Sequence, residues 1–358
     1  MNKKGLVLVP RLRGIGGMET VIVSWIKHYQ RVDDINMKFF APQGLEDQSR
    51  FDGLGDEVKI AQLVRPHALG KAWGTWLTFD YLARHDFDFV VCTSIPLMKL
   101  AHLVRRVLHK QFKIISWFHF SIDTLPVSSN GDLLLADINL AISSGIKQQL
   151  IARGVSSDSI EVVYNPATIP DTVVAKREDT LAAQPLRLLY VGRIVWAGQK
   201  NLKLLLSALV EFKADWRLEI FGTGQQSDID TLKSFVSGHE LEDKVFVRGW
   251  SDSPFEHALP ADYLILTSKY EGFPMVLIEA AGLGLPLISS DCPTGPDDIV
   301  VDDNGFLFTN DSQQDLVETL GNALATRDTF KPEVVRDSVE KFETGKYFER
   351  VSAILSAV

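Results

Sequence analysis

The sequence predicts an α/β protein of two facing Rossmann-like domains with a cleft between them. Three observations predict it. Short apolar runs of strand length alternate with helical stretches over residues 1–167, and a second such series begins at Leu186. A polar, turn-rich segment, residues 167–185, separates the two series and reads as a linker. Glycine-bearing turns follow several of the strands, at the strand ends where open parallel sheets bind ligands. The length of 358 residues suffices for two ordinary domains, here taken as residues 1–167 and 168–341. With 46% hydrophobic and 23% charged residues, the chain has a globular rather than a disordered profile.

The first series opens with an apolar strand at residues 6–9, a glycine-rich turn, and an amphipathic helix over residues 20–29. A turn of this kind suits a phosphate, with Gly16 and Gly17 nearest the helix. It is not the dinucleotide fingerprint, however. Gly14 and Gly16 fit that pattern, but Glu19 stands where the third glycine belongs. Nor does an acid close the second strand, residues 37–41, where dehydrogenases hold the ribose. Dehydrogenase chemistry is thereby disfavoured.

An Asp-rich region follows to about residue 57, then aromatic helical sequence over 69–84 and a strand at 89–92. Residues 97–113 form a basic amphipathic stretch. Lys99, Arg105, Arg106, Lys110 and Lys113 alternate with Leu100, Leu103, Val104, Val107 and Leu108 at helical spacing. That pattern marks a helix lying on an anionic lipid surface, with Trp73 and Trp76 as interfacial neighbours; a half-buried core helix has the same pattern. The strand at 113–117 then delivers His119 at its carboxyl end, where a lone histidine is either structural or ligand-facing. Strands at 136–143 and 160–164 complete the first sheet.

The second series runs through a strand at 188–194 and a loop at 195–200 bracketed by Arg193 and Lys200. Two cations flanking a strand-end loop are placed to neutralise a diphosphate, unless they are merely solvated. Strands at 217–221 and 245–247 end in Gly222-Thr-Gly224 and Arg248-Gly249-Trp250. The strand at 263–267 feeds the most informative stretch, Tyr270-Glu-Gly-Phe-Pro-Met-Val-Leu-Ile-Glu279. Pro274 is suited to open a helix, because first-turn positions need no N–H. That helix end, at Gly272, Phe273, Pro274, Met275 and Val276, offers free N–H groups to an anion. Glu271 lies before it and Glu279 two turns down, and either acid alone could be a cap or a satisfied core group. Together they could face one polyhydroxy ligand.

The stretch resembles the donor-sugar motif of the family 4 retaining glycosyltransferases, Glu-Gly-Phe-Pro-x-x-x-x-Glu-Ala. The resemblance covers nearly the whole chain, is strongest over residues 193–296, and implies the GT-B fold. It implies that Glu271 holds the donor sugar's hydroxyls, that Glu279 holds the nucleotide ribose, and that His119 lies against the sugar. Gly-Gly-Met-Glu is similar to the family's loop over the diphosphate and acceptor, which gives Gly16 and Gly17 a donor role and Glu19 an acceptor role. Arg193 and Lys200 match the Gly-Arg-x(n)-Lys-Gly pattern with one departure, since Asn201 follows the lysine and Gly198 precedes it. Arg248 and Gly249 resemble the segment whose backbone reads the base, and Gly222 joins the donor set. The tail, residues 342–358, is expected to return onto the first domain, as in that architecture.

The resemblance implies a retaining hexosyltransferase that moves galactose or glucose from a UDP-linked donor. The acceptor would be a saccharide or lipid-linked saccharide, such as a lipopolysaccharide core. No cofactor and no metal are expected. Asp86-Phe87-Asp88 has the Asp-x-Asp form of metal-dependent glycosyltransferases, but it reads as turn chemistry, as does Asp228-Ile229-Asp230. With no evident covalent nucleophile, front-face transfer is the expected mechanism. A nucleotide-sugar epimerase or hydrolase on the same fold, or a non-catalytic partner protein, are the rival readings. The last should have lost Glu271, Arg193 or Lys200, and all three are present.

Charge and cysteine usage bound the partners. Residues 1–167 carry 19 Lys and Arg against 16 Asp and Glu, a net of +3, whereas the remainder carries 18 against 30, a net of −12. The acidic half argues against nucleic acid, and the mildly basic half suits an anionic acceptor or lipid surface. Cys92 and Cys292 form no metal-binding or disulfide spacing, so a reducing cytoplasm is expected, with peripheral attachment to the inner face of the membrane.

Overall fold

The computed structural model describes residues 3–11, 17–32, 35–44, 58–60, 67–125, 129–170, 184–258 and 260–358. Two compact units result: residues 1–166 with 345–358, and residues 167–344. Gly14, Gly16 and residues 171–183 of the linker lie outside the described residues.

The first unit runs β1 (Lys3–Leu8), α1 (Gly17–Tyr29), β2 (Ile35–Ala41), β3 (Val58–Ile60), α2 (His67–Arg84), β4 (Phe89–Cys92), α3 (Ile95–Val107), β5 (Lys113–Phe118), β6 (Ile138–Ala141), α4 (Ser144–Ala152) and β7 (Ile160–Val162). Its seven-stranded sheet has the order β3-β2-β1-β4-β5-β6-β7, and every pairing is parallel. Strands buried on both faces read as unbroken apolar runs, which is why Phe-Val-Val-Cys of β4 is buried throughout. Local chemistry sets the helix ends. Pro96 sits in the first turn of α3, and Ser143 caps α4 by accepting the Ile146 N–H at 3.1 Å.

The second unit runs β8 (Leu186–Val191), α5 (Leu202–Glu211), β9 (Trp216–Phe221), α6 (Gln226–Gly238), β10 (Val245–Gly249), α7 (Pro254–His257), β11 (Tyr263–Leu266), α8 (Met275–Gly282), β12 (Leu287–Asp291), α9 (Pro296–Ile299), β13 (Gly305–Thr309), α10 (Gln313–Thr326) and α11 (Pro332–Asp337). Its six strands, again all parallel, are ordered β10-β9-β8-β11-β12-β13. The order reverses between β8 and β11, so these neighbours flank the switch point at which such sheets bind ligands. A last helix, α12 (Thr344–Ala357), belongs to the first unit from Gly345 onward. It docks through Phe348, stacked on His28 at 3.8 Å, and through buried Tyr347, Val351 and Leu355.

The basic stretch 97–113 is not one continuous helix. α3 ends at Val107, Lys110 lies in the following turn, and Lys113 opens β5. Three of the five cations are paired: Lys99 with Asp132 at 2.9 Å, Lys110 with Asp86 at 2.7 Å, and Arg105 with Asp137. Amphipathic spacing cannot report these pairings, because the acids come from other parts of the chain. Asp86 and Asp88 also have structural partners, since Asp88 accepts the Lys4 N–H at 2.7 Å. Asp228 accepts the Trp196 N–H at 3.0 Å and so anchors the loop after β8. The cysteines are buried free thiols. Among the described residues no helix is long and apolar enough to cross a membrane.

Candidate active site

The second unit places Arg193, Lys200 and Glu271 at the carboxyl ends of β8 and β11. β8 ends in Gly192 and Arg193, and the following loop is held at both ends. Tyr190 donates its hydroxyl to the Arg193 carbonyl at 2.7 Å, and Thr267 donates to the Lys200 carbonyl at 3.1 Å. Asn201 turns the chain in a left-handed conformation, φ 50°, before α5 starts. After β11 the chain passes through Lys269 and Tyr270 to Glu271 and reaches α8 at Met275.

These two loops are cross-linked by side chains. Lys200 Nζ lies 2.6 Å from Glu271 Oε1, and both side chains are nearly buried, 13% and 9% exposed. Arg193 Nη2 donates to Gln199 Oε1 at 2.6 Å. The Gln199 side-chain amide in turn donates to the Tyr270 carbonyl at 3.1 Å, and the Gln199 backbone carbonyl accepts the Lys269 N–H at 2.8 Å. Thr294, in the loop after β12, donates its hydroxyl to the Glu271 carbonyl. Four side chains expected or newly found to bear on chemistry, Arg193, Gln199, Lys200 and Glu271, thus form one assembly. Gln199 was not among the sequence candidates. Its only signal is an amide directly before the lysine of the bracketed loop.

A buried ion pair is weak evidence for stability, but removing one partner typically costs about 3–5 kcal/mol, because the other charge is left buried. Lys200 and Glu271 therefore hold one another in place. Their surroundings are otherwise resistant to ionisation. Burial raises the Tyr190 hydroxyl, helped by the Glu271 charge. Burial, again with Glu271, pushes the Cys292 thiol up to about 12, so Cys292 remains protonated.

The remaining donor candidates divide into groups with different local causes. A Cβ on Gly222 would lie 1.8 Å from the Gly192 carbonyl oxygen. Glycine is needed there because the turns after β8 and β9 touch backbone to backbone, with the Ile194 N–H reaching the Thr223 carbonyl at 2.8 Å. The Gly222 N–H donates to the Gly249 carbonyl at 2.7 Å, which brings the end of β10 to the same edge. The Arg248 side chain is turned onto the sheet, with Nη2 and Nε at 2.6 and 2.9 Å from Glu219 Oε1. Phe273 is buried and packs edge-on against Phe342 at 5.3 Å. Pro274 is the N-cap of α8, followed by Met275 and Val276, and Gly272 precedes it in the loop.

Glu279 departs from expectation in its place along the helix. It lies about one turn into α8 rather than two, because the helix starts at Met275. It is also exposed, while Leu277, Ile278, Ala280 and Ala281 around it are buried. Its neighbourhood is nonetheless protein-rich enough that desolvation raises its carboxyl pKa.

In the first unit, Gly17 opens α1 and Glu19 is buried in its first turn, while Gly16 lies outside the described residues. His119 follows β5 and is 7% exposed. Burial pushes its pKa down to about 3, so the imidazole is neutral. Its Nε2 has no protein hydrogen-bond partner among the described residues.

Comparison with known proteins decides the family. Residues 15–168 match the Glycosyltransferase Family 4 description, and residues 174–335 match Glycosyl transferases group 1. A lipopolysaccharide 1,6-galactosyltransferase of Salmonella typhimurium is 33% identical over 347 residues, covering 94% of each chain. The chain belongs to the family 4 glycosyltransferases. The Escherichia coli K12 lipopolysaccharide 1,6-galactosyltransferase is 32% identical to this glycosyltransferase over 96% of each chain. The solved structure of a lipopolysaccharide outer core galactosyltransferase, in its apo form, superposes with a TM-score of 0.87 at 31% identity over 99% of this chain and 100% of the other. An Anabaena protein solved in complex with UDP shares the fold at a TM-score of 0.79 and 16% identity, over 99% and 100% of the two chains. The GT-B fold and the family expected from the sequence are borne out.

Proposed function

We propose that this glycosyltransferase transfers a hexose, galactose or glucose, from a UDP-linked donor to a lipopolysaccharide core or a similar lipid-linked saccharide, with retention and without a metal. The single observation that carries it is the Arg193–Gln199–Lys200–Glu271 assembly at the β8/β11 switch point, in a chain similar end to end to lipopolysaccharide galactosyltransferases.

Breaking the sugar–phosphate bond builds negative charge on the departing diphosphate and positive character on the sugar. Arg193 and Lys200 stabilise the first, together with the N-terminal end of α8 at Gly272, Phe273, Pro274, Met275 and Val276. Lys200 exchanges part of its contact with Glu271 for the diphosphate, which frees Glu271 oxygens to accept the sugar hydroxyls. Neutral His119 takes a hydrogen bond from the sugar without adding a charge that would repel an oxocarbenium-like centre. Glu279 receives the ribose hydroxyls, and the backbone at Gly222 and Arg248–Gly249 meets the base. Gly17 and Glu19, with Gly16, serve the diphosphate and acceptor side. Glu271 holds sugar hydroxyls rather than attacking the anomeric carbon, and a diphosphate oxygen takes the acceptor proton on the face from which it departs.

The enzyme works at an anionic membrane surface. Trp73 and Trp76 stack at 4.8 Å and are 39% and 50% exposed, and Leu103 and Val107 on α3 are 50% and 57% exposed beside exposed Arg106. Aromatic rings and aliphatic side chains left in water next to a cation suit a lipid interface.

A panel of nucleotide sugars screened for protection against thermal unfolding tests the donor assignment. A ligand at 100 times its Kd adds about 2.7 kcal/mol. UDP-galactose or UDP-glucose should protect, and transfer to lipopolysaccharide core should proceed equally in EDTA. Protection by neither sugar would sink the donor assignment. Activity lost on chelation and restored by manganese would overturn metal independence. Donor turnover at full rate with no acceptor present would favour the hydrolase or epimerase reading.

A further inference from the structure

A ligand-facing histidine is ordinarily oriented by a hydrogen bond at its second ring nitrogen. Among the described residues, the buried His119 Nε2 has no protein hydrogen-bond partner. The ring is placed by packing instead, edge-to-face against Trp117 with centroids 4.3 Å apart and planes at 61°. Trp117 is fully buried, and its Nε1 likewise has no partner. Packing alone holds this ring too, through a stack on Trp25 at 4.2 Å and 25°. Trp25 is fully buried on α1, and its Nε1–H donates to the Tyr347 hydroxyl at 2.7 Å. Tyr347 is fully buried on α12, just beyond Thr344, the last residue of the second unit.

Among the described residues, the directional bond along this aromatic column is therefore the link from Trp25 to the C-terminal helix. A stack fixes the planes of two rings but lets them slide and turn in plane. A buried hydrogen bond does not, because an unmade indole N–H in a dry core is costly.

We infer that Tyr347 and Trp25 are positioning residues for His119, and that the C-terminal helix sets the orientation of this histidine through the Trp25–Trp117 stack. The kinetic consequence rests on the proposed role of His119 against the donor sugar; the structural one does not. Neither Tyr347 nor Trp25 touches substrate.

The test uses the full chain with ring-labelled histidine, the His119 signal being assigned by its loss in His119→Gln. Tyr347→Phe removes only the hydroxyl. It should move the His119 ring resonance and lower kcat on the order of tenfold, short of the hundredfold that a displacement of about 1 Å can cost. The donor KM should change by less than about twofold, because the lost orientation matters in the transition state. Trp25→Phe keeps a ring in the stack but loses the N–H, and should act in the same direction. Ser352→Ala removes a different polar contact between α12 and α1, a 3.3 Å bond to Tyr29, and should move neither readout. A His119 resonance at its wild-type position in Tyr347→Phe and Trp25→Phe would overturn the inference, even if the melting temperature fell. If Tyr347→Phe does not fold, Trp25→Phe decides. Full transfer by His119→Gln would sink the catalytic reading of His119, whereas the resonance measurement would still decide the coupling.

Discussion

The two units share one architecture but equip their strand ends in opposite ways. At the β8/β11 edge of the second unit, charged and amide side chains bond one another: Lys200 with Glu271 at 2.6 Å and Arg193 with Gln199 at 2.6 Å. At the carboxyl end of β5 in the first unit, a neutral histidine packs on Trp117, and its buried Nε2 has no hydrogen-bond partner among the described residues. The difference teaches how a transfer reaction can be divided. The second unit answers the proposed diphosphate and sugar with paired charges, whereas the proposed sugar contact of the first unit is a neutral ring. Fixed charges need mutual pairing to survive burial, whereas a neutral ring needs only shape.

The largest expected effect falls on the charged edge. Arg193→Ala and Glu271→Gln should each lower kcat about a hundredfold to a thousandfold, the range for loss of one preorganised electrostatic contact. Circular dichroism would verify that the fold survives. Glutamine is chosen at Glu271 because it keeps an acceptor for Lys200, which alanine would leave buried and alone. Turnover within a few-fold of wild type in either variant, at saturating donor, would break the comparison on its charged side.

The neutral edge makes a prediction about pH. His119 has a folded pKa of about 3, well below the ordinary histidine value, because of burial. Between the two values the unfolded chain binds a proton that the folded one does not, so stability falls as pH falls. The contribution is about 1.4 kcal/mol for each pH unit below roughly 6.5, and it ends near the folded pKa. Denaturant unfolding of wild type and His119→Gln from neutral to acid pH would expose the difference as a shallower slope in the variant. Parallel slopes would mean that His119 is protonated in the folded protein, and the edge would not be neutral.

A smaller effect is expected at Glu279, which is exposed on α8. Glu279→Ala should raise the donor KM about tenfold and leave kcat nearly unchanged, since a ribose contact is made equally in ground and transition states. A fall in kcat without change in KM would move Glu279 from the nucleotide to the reacting sugar.

The smallest effect concerns the surface of the first unit. Lys99, Arg105 and Lys110 are committed to acids, so vesicle binding should depend more on the apolar side chains than on charge. Trp73→Ala with Trp76→Ala should release the protein from anionic vesicles. Glutamine at Arg105, Arg106 and Lys110 should weaken sedimentation only modestly at physiological salt, where exposed charges are screened beyond about 8 Å. Equal binding by the double tryptophan variant would show that this face is simply solvated.

The sequence by itself determined the two α/β series and the family. Buried parallel strands must be written as apolar runs, and a close backbone approach demands glycine, as at Gly222 beside Gly192. Arg193, Lys200, Glu271 and Glu279 were legible because two loops and one helix end carry them at telling spacings. The tertiary structure alone decided which partner each charge takes. Arg248 turns to Glu219, Lys110 to Asp86, and Gln199 joins Arg193 to the Tyr270 carbonyl across a large sequence separation. It also decided that Glu279 is exposed, because the start of α8 sets which of its residues face outward. Likewise only the packed fold could place Tyr347 behind Trp25 and Trp117. Periodicity reports which face of an element is apolar, whereas the identity of a contact between distant segments arises only when the elements pack.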